Sequence, residues 1–149
     1  MWKSLYKRLY IKQWNSLEVI YKKSWKYILV RDNSFGCSTL RYYRPKALKD
    51  FSDVHKNDIG GFMKRYGNLS QFGNCWIYEE SVVIGKSLVS ENAKVSKDSC
   101  VCGNAQVYGN AIVTDCAIVM DNAKIYDDAK VSGYIKISGD KVLTKGVYK

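Results

Sequence analysis

GNCWIY EESVVI GKSLVS ENAKVS KDSCVC GNAQVY GNAIVT DCAIVM DNAKIY DDAKVS GYIKIS GDKVLT: from Gly73 to Thr144 the chain repeats every six residues. The fifth place is always branched aliphatic, from Ile77 and Val83 through Val107 to Ile137 and Leu143. The third place is small in most hexads, as at Ser81, Ala93, Ala105, Ala111, Ala117, Ala123 and Ala129. Places one and two are mostly Gly, Asn or Asp. A fixed period outranks local propensity when a fold is read from sequence. Places three and five lie two apart, so a strand points both to the same side. Places one and two carry residues that tolerate unusual backbone angles. Each hexad therefore reads as a short strand plus a corner, and three hexads close one triangular coil. Twelve hexads predict four coils, a rod of about 19 Å at one inter-strand spacing per coil. Right-handed β-helices have longer, less regular repeats, so the expected form is a mainly β, left-handed parallel β-helix.

Runs such as GNAQVYGNAIV resemble the hexapeptide-repeat, left-handed β-helix superfamily. RPKALKDFSDVHKNDIGGF followed by NLSQFGNCWIY resembles, more narrowly, small solenoid proteins of the GNA-V-Y-GNA type, common in phages and prophages and often without an assigned function. The resemblance covers about residues 38 to 144. It implies that Ala47 to Phe62 is the entry segment, with Gly60–Gly61 a tight turn against the first coil.

Charge divides the chain in two. Of 24 basic and 14 acidic residues, 73–149 hold nine of each, so 1–72 carry the entire +10. Fourteen of the 20 aromatic residues lie in the same N-terminal part. A neutral rod thus bears a basic, aromatic cap. Solenoids need capping, but capping alone does not call for that charge. The organisation expected is a basic aromatic amphipathic helix over 1–24, a hairpin and capping segment over 25–72, the hexapeptide β-helix over 73–144 and a tail over 145–149. In 1–24, Trp2, Leu5, Tyr6, Leu9, Trp14, Leu17, Ile20 and Tyr21 approximate helical spacing. Such a helix could dock on the solenoid mouth, face an acidic partner, or lie in a membrane interface. KYILVRD, NSFG and CSTLRYYR read as strand, turn and strand, with Pro45 ending the hairpin.

No stretch approaches the roughly 18 apolar residues of a membrane span, and no secretory h-region is evident. Five Cys (37, 75, 100, 102, 116) lack a framework spacing, so neither metal nor cofactor is expected and the compartment reads as a reducing cytoplasm, that of a bacterial host if phage-encoded. Cys75 falls at an inward place.

Many hexapeptide-repeat proteins are acyltransferases, and the resemblance would imply trimers in which a His activates the acceptor. That step needs a general base near neutral pH. The one His, His55, precedes the repeat, and no loop interrupts the coils. A non-enzymatic role is therefore expected, with acyl transfer or nucleotide binding as the alternative, the latter along Tyr108 and Tyr126 with Lys124 and Lys130.

The leading expectation is nucleic-acid binding, RNA first, or engagement of a ribonucleoprotein or acidic protein surface. Lys and Arg neutralise phosphates, and Trp and Tyr stack on bases. The candidate cations are Lys3, Lys7, Arg8, Lys12, Lys22, Lys23, Lys26, Arg41, Arg44, Lys46, Lys64 and Arg65, and the stackers are Trp2, Trp14, Tyr42 and Tyr43. In a phage setting this extends to an inhibitor of a host defence complex such as CRISPR-Cas. The second expectation is assembly. Residues 18 apart stack, so Val82, Ile84, Cys100, Cys102, Ile118 and Met120 form one apolar face. Such a patch marks a contact surface, for a homodimer or homotrimer or for the N-terminal helix.

Overall fold

The computed structural model describes residues 25–34 and 41–149. The helix expected over 1–24 and the NSFG turn's last two residues lie outside them. The repeat folds as a parallel β-solenoid whose strands are two residues long, because each hexad commits its other residues to the corner. Three faces alternate along the chain. The first carries Phe62–Met63, Val82–Val83, Cys100–Val101, Ile118–Val119 and Lys136–Ile137. The second carries Leu88–Val89, Gln106–Val107, Lys124–Ile125 and Val142–Leu143, with Leu69 bridging to Val89 above them. The third carries Trp76–Ile77, Lys94–Val95, Ile112–Val113, Lys130–Val131 and Val147–Tyr148.

The rod has about five turns rather than four, and both ends explain the difference. Phe62 pairs with Val82 and Leu69 with Val89, each 20 positions on, whereas regular rungs repeat every 18. The first turn is therefore longer than a hexad count can detect. At the other end Lys130 pairs with Val147, 17 positions on, so Tyr148 takes the inward place after a shortened corner.

Packing follows the periodicity. The fifth-place Val and Ile side chains from Ile77 to Val131 are fully buried, together with the third-place Ala column. Burying each Val or Ile stabilises by roughly 1.5–3 kcal/mol. Ladder amides satisfy one another between coils, for example Lys94 N to Ala111 O at 3.0 Å and Ser96 N to Val113 O at 2.9 Å. At two of the third-place serines the hydroxyl turns back on the preceding corner. Ser87 Oγ donates to Ile84 O at 2.6 Å and Ser99 Oγ to Ser96 O at 2.7 Å. First-place residues adopt left-handed backbone angles whether Gly or not, as at Gly109 (φ 64°), Glu91 (φ 58°) and Asp121 (φ 58°). The corners are further tied by two side-chain ladders, Asn92–Asn110–Asp128 and Asn104–Asn122–Asp140.

The cap is an antiparallel hairpin of β1 (Tyr27–Asp32) and β2 (Tyr42–Ala47), and it continues the first face through β3 (Phe62–Met63). Pro45 does not end the hairpin but lies inside β2, paired with Leu29. Its missing N–H is tolerated because the segment on its other side, at Gly60, takes only a carbonyl: Gly60 N donates to Pro45 O at 2.8 Å. Gly60 and Gly61 sit against the first coil, where a Cβ would lie 2.6 Å from Ile77 O and 2.4 Å from Ser81 O respectively. Trp76, at a nominally outward place, is buried because Tyr27 and Phe51 of the cap meet its ring edge-on at 6.1 and 5.4 Å.

Candidate functional site

The cap is where the sequence concentrates cations and aromatics, and the fold pairs several of them internally. Lys26, expected on a binding surface, is 1% exposed. Its Nζ donates to Cys75 O at 2.8 Å and Gly73 O at 3.3 Å, reaches Cys75 Sγ at 3.2 Å, and lies 5.1 Å over the Phe51 ring. It thereby satisfies carbonyls at the open edge of the third face, where another coil would otherwise stack. Burial pushes its ammonium below the ordinary lysine range, partly opposed by the Cys75 sulfur, and burial likewise pushes the Cys75 thiol up. Tyr27 beside it donates its hydroxyl to Leu69 O at 2.6 Å, and Gln71 bonds both the N–H and the C=O of Tyr27.

Arg44 is likewise committed. Its guanidinium lies 3.9 Å over Phe62, with Nε 3.1 Å from Asp32 Oδ2 and Nη2 2.7 and 2.8 Å from the Glu80 oxygens. Lys64 lies 3.8 Å over the Tyr42 ring and donates to Arg41 O at 3.0 Å. Tyr42 also meets Phe62 edge-on. These contacts join hairpin to coil, so Lys26 is excluded from an external partner, and Arg44, Lys64 and Tyr42 have structural duties that sequence alone did not assign. Arg41 and Arg65 are exposed, and Lys46 and Tyr43 are half-buried. Lys3, Lys7, Arg8, Lys12, Lys22, Lys23, Trp2 and Trp14 lie outside the described residues.

A constellation not anticipated from sequence forms where the cap meets the third face. Asp53 accepts from the Tyr78 hydroxyl at 2.7 Å and pairs with Lys94 Nζ at 3.2 Å, while Lys94 lies 5.6 Å over the Tyr78 ring. They border a shallow hollow of about 190 Å³ with Glu79, Ser96, Lys97 and Ile112. The Tyr78 hydrogen bond, and secondarily Lys94, holds the Asp53 carboxyl below its ordinary range. A depressed acid stabilises above its unfolded pKa, and this small, exposed contribution is lost as pH falls through the lowered value. The 18-residue stacking sets Lys94 on Trp76, so Tyr78 and Lys94 are legible as diagonal neighbours on one face, whereas Asp53 carries no periodic signal.

A larger open groove of about 530 Å³ runs down the corner between the second and third faces. Glu91, Asn92, Gly109, Asn110, Asp127, Asp128, Thr144 and Lys145 line it. Beside it the Tyr108 and Tyr126 rings stack at 4.8 Å with 7° between planes. Desolvation, then Tyr126 and the neighbouring carboxylates, push the Tyr108 hydroxyl up. The excess of carboxylates makes this groove a poor match for phosphates. His55 is exposed in the cap loop, where its backbone bonds Asp58. Among the described residues no group of three or more His, Cys, Asp or Glu is placed to hold a metal ion, and no helix is long and apolar enough to cross a membrane.

The apolar strip on the first face is half-buried at Val82, Ile84, Cys100, Cys102 and Met120 and 39% exposed at Ile118. Burial and the adjoining Cys102 push the Cys100 thiol up to about 11.

No protein-family model matches the chain. A stretch of 37 residues, 25% of the chain, is 43% identical to part of the uncharacterized acetyltransferase YdcK of Escherichia coli (strain K12). It covers 11% of that protein's length, so the chain spans about a tenth of this curated relative. The match is consistent with the hexapeptide-repeat architecture of the coils, and the acetyltransferase label belongs to that protein as a whole.

Proposed function

We propose that this chain is a non-enzymatic binding protein in which the solenoid is a rigid base and residues 1–24 are the basic aromatic element that engages nucleic acid, RNA first, or a ribonucleoprotein. In this reading the coils are left-handed and 1–24 form the helix that their apolar spacing suggests. The supporting observation is the distribution of cations. The coils from 73 onward carry nine basic and nine acidic residues. In the cap, Lys26, Arg44 and Lys64 are drawn into contacts within the chain. Residues 1–24 hold six Lys or Arg against one Glu, with Trp2 and Trp14 among them. Phosphate neutralisation with base stacking suits that composition and makes affinity fall with salt.

The test is purification of the full chain without nuclease, reading the 260/280 absorbance ratio at low and high salt, beside a chain lacking residues 1–24. RNA that is retained at low salt, released at high salt and absent from the truncated chain is the expected result. A clean full-length preparation at low salt, or equal retention by the truncated chain, would overturn the reading.

A second reading, assembly through the first face, is favoured by the exposure of Ile118 within the strip that Val82, Ile84, Cys100, Cys102 and Met120 complete. Sedimentation of the nucleic-acid-free chain as a dimer or trimer would support it, and a monomer at all concentrations would exclude it.

A further inference from the structure

Cys100 and Cys102 occupy the outward places of one hexad, so the pleat sends both side chains to the same side of the first face. Cys102 adjoins Cys100 and adds to the burial that pushes the Cys100 thiol up. The register stacks Cys100 between Val82 and Ile118. The ladder bonds Ile84 N to Val101 O, Cys102 N to Val119 O and Met120 N to Ile137 O carry the same stacking to the other outward column, so Cys102 lies between Ile84 and Met120. One coil spacing is about 4.8 Å, a span that the three rotatable bonds of methionine cover. Three sulfurs thus gather on one patch. Their register neighbours Val82, Ile84 and Ile118 are branched aliphatic, and the next rung below Ile118 is Lys136. No spacing motif in the sequence announces this set. The Cys-x-Cys pair gains its third sulfur only from the coil below.

Donor chemistry decides what such a patch takes. Hard cations require oxygen donors, and a closed zinc site needs four ligands from Cys, His or carboxylate. Two thiolates with a thioether at low coordination number select a soft cation. We propose that Cys100, Cys102 and Met120 form a binding site for a soft monovalent cation of the Cu(I) type. On binding, two S–H bonds break and two metal–sulfur bonds form. Both protons leave to solvent, and no electron is transferred. Affinity therefore rises with pH, since protons compete for the same sulfurs. The Met120 thioether supplies a third, neutral contact, and the aliphatic neighbours limit solvent access to the metal. This site stands independently of any nucleic-acid role, because it lies on the coils and uses none of residues 1–24.

The experiment is an anaerobic titration of the full chain with Cu(I) held by a chromophoric chelator, beside Cys100→Ser/Cys102→Ser, Met120→Leu and Cys116→Ser variants. Circular dichroism of each verifies the fold. The full chain and Cys116→Ser are expected to withdraw one equivalent of Cu(I), and the double serine variant to lose that equivalent. Met120→Leu, which keeps both thiols, is expected to bind the same amount about tenfold more weakly. Uptake by the double serine variant equal to that of the full chain would assign the metal to other cysteines and overturn the proposal. So would failure of the full chain to withdraw Cu(I) at all. An unchanged affinity in Met120→Leu would remove the thioether from the site.

Discussion

The coils and the cap are stabilised in opposite ways. In the coils one solution is repeated: an inward Val, an inward Ala, a left-handed corner, and amides that bond the coil above and below. In the cap nothing repeats. Lys26 fills the acceptors of a missing coil, Arg44 joins two carboxylates over a phenyl ring, and the Gln71 side chain bonds both backbone groups of Tyr27. The difference teaches that charge at a solenoid end need not be a binding surface. Unpaired edge carbonyls attract donors, and a lysine or arginine with an aromatic neighbour can serve as the lid itself. Counting basic residues in such a cap overstates what is available to a partner.

The largest test of this contrast is in the coils. Val107→Asp puts an unpaired carboxylate into a fully buried column and is expected to cost roughly 4 kcal/mol or more, enough to unfold the chain. Its neighbour Gln106→Asp, on the exposed side of the same strand, should stay within about 0.5 kcal/mol. Urea midpoints of the two variants measure the gap, and similar midpoints would disprove the register. The joint between coil and cap comes next. A Cβ on Gly73 would stand 2.3 Å from Glu91 O, at φ 72°, whereas a Cβ on Gly133, at φ 78°, meets nothing within 4 Å. Gly73→Ala should therefore cost about 3 kcal/mol and Gly133→Ala about 1 kcal/mol. Equal losses in denaturant melts would mean that backbone strain alone, and not coil spacing, sets the cost. The cap itself supplies the last test, with a smaller loss than Val107→Asp or Gly73→Ala. Tyr27→Phe removes the donor to the Leu69 carbonyl and should lower stability by about 1–2 kcal/mol. A melting temperature unchanged by this substitution would show that the cap is held by ring packing alone.

How legible each region was follows from the same contrast. The inward columns could be read because Val or Ile at every sixth residue has only one low-energy arrangement, and the 18-residue stacking of Cys100 on Ile118 and of Lys94 on Ile112 follows from three hexads per coil. The first turn escaped that reading because its rungs repeat at 20 rather than 18. Pro45 reads as a strand end by its missing N–H, yet it lies within β2 because its neighbour needed only its carbonyl. Trp76 reads as outward by period, yet it is inside because Phe51 and Tyr27 cover it. Asp53 has no periodic neighbour and meets Tyr78 and Lys94 only through the path of the cap loop.

The sequence by itself determined the solenoid, its three faces and the neutral balance of its coils, since each depends on interactions between residues at a constant separation. Tertiary structure alone decided which cap cations are internal, which outward residues are covered and where the rod begins. Those outcomes rest on contacts between residues at irregular separations, such as Lys26 with Cys75 and Arg44 with Glu80. In such contacts the cost of burying charge is offset only when donor and acceptor meet in space.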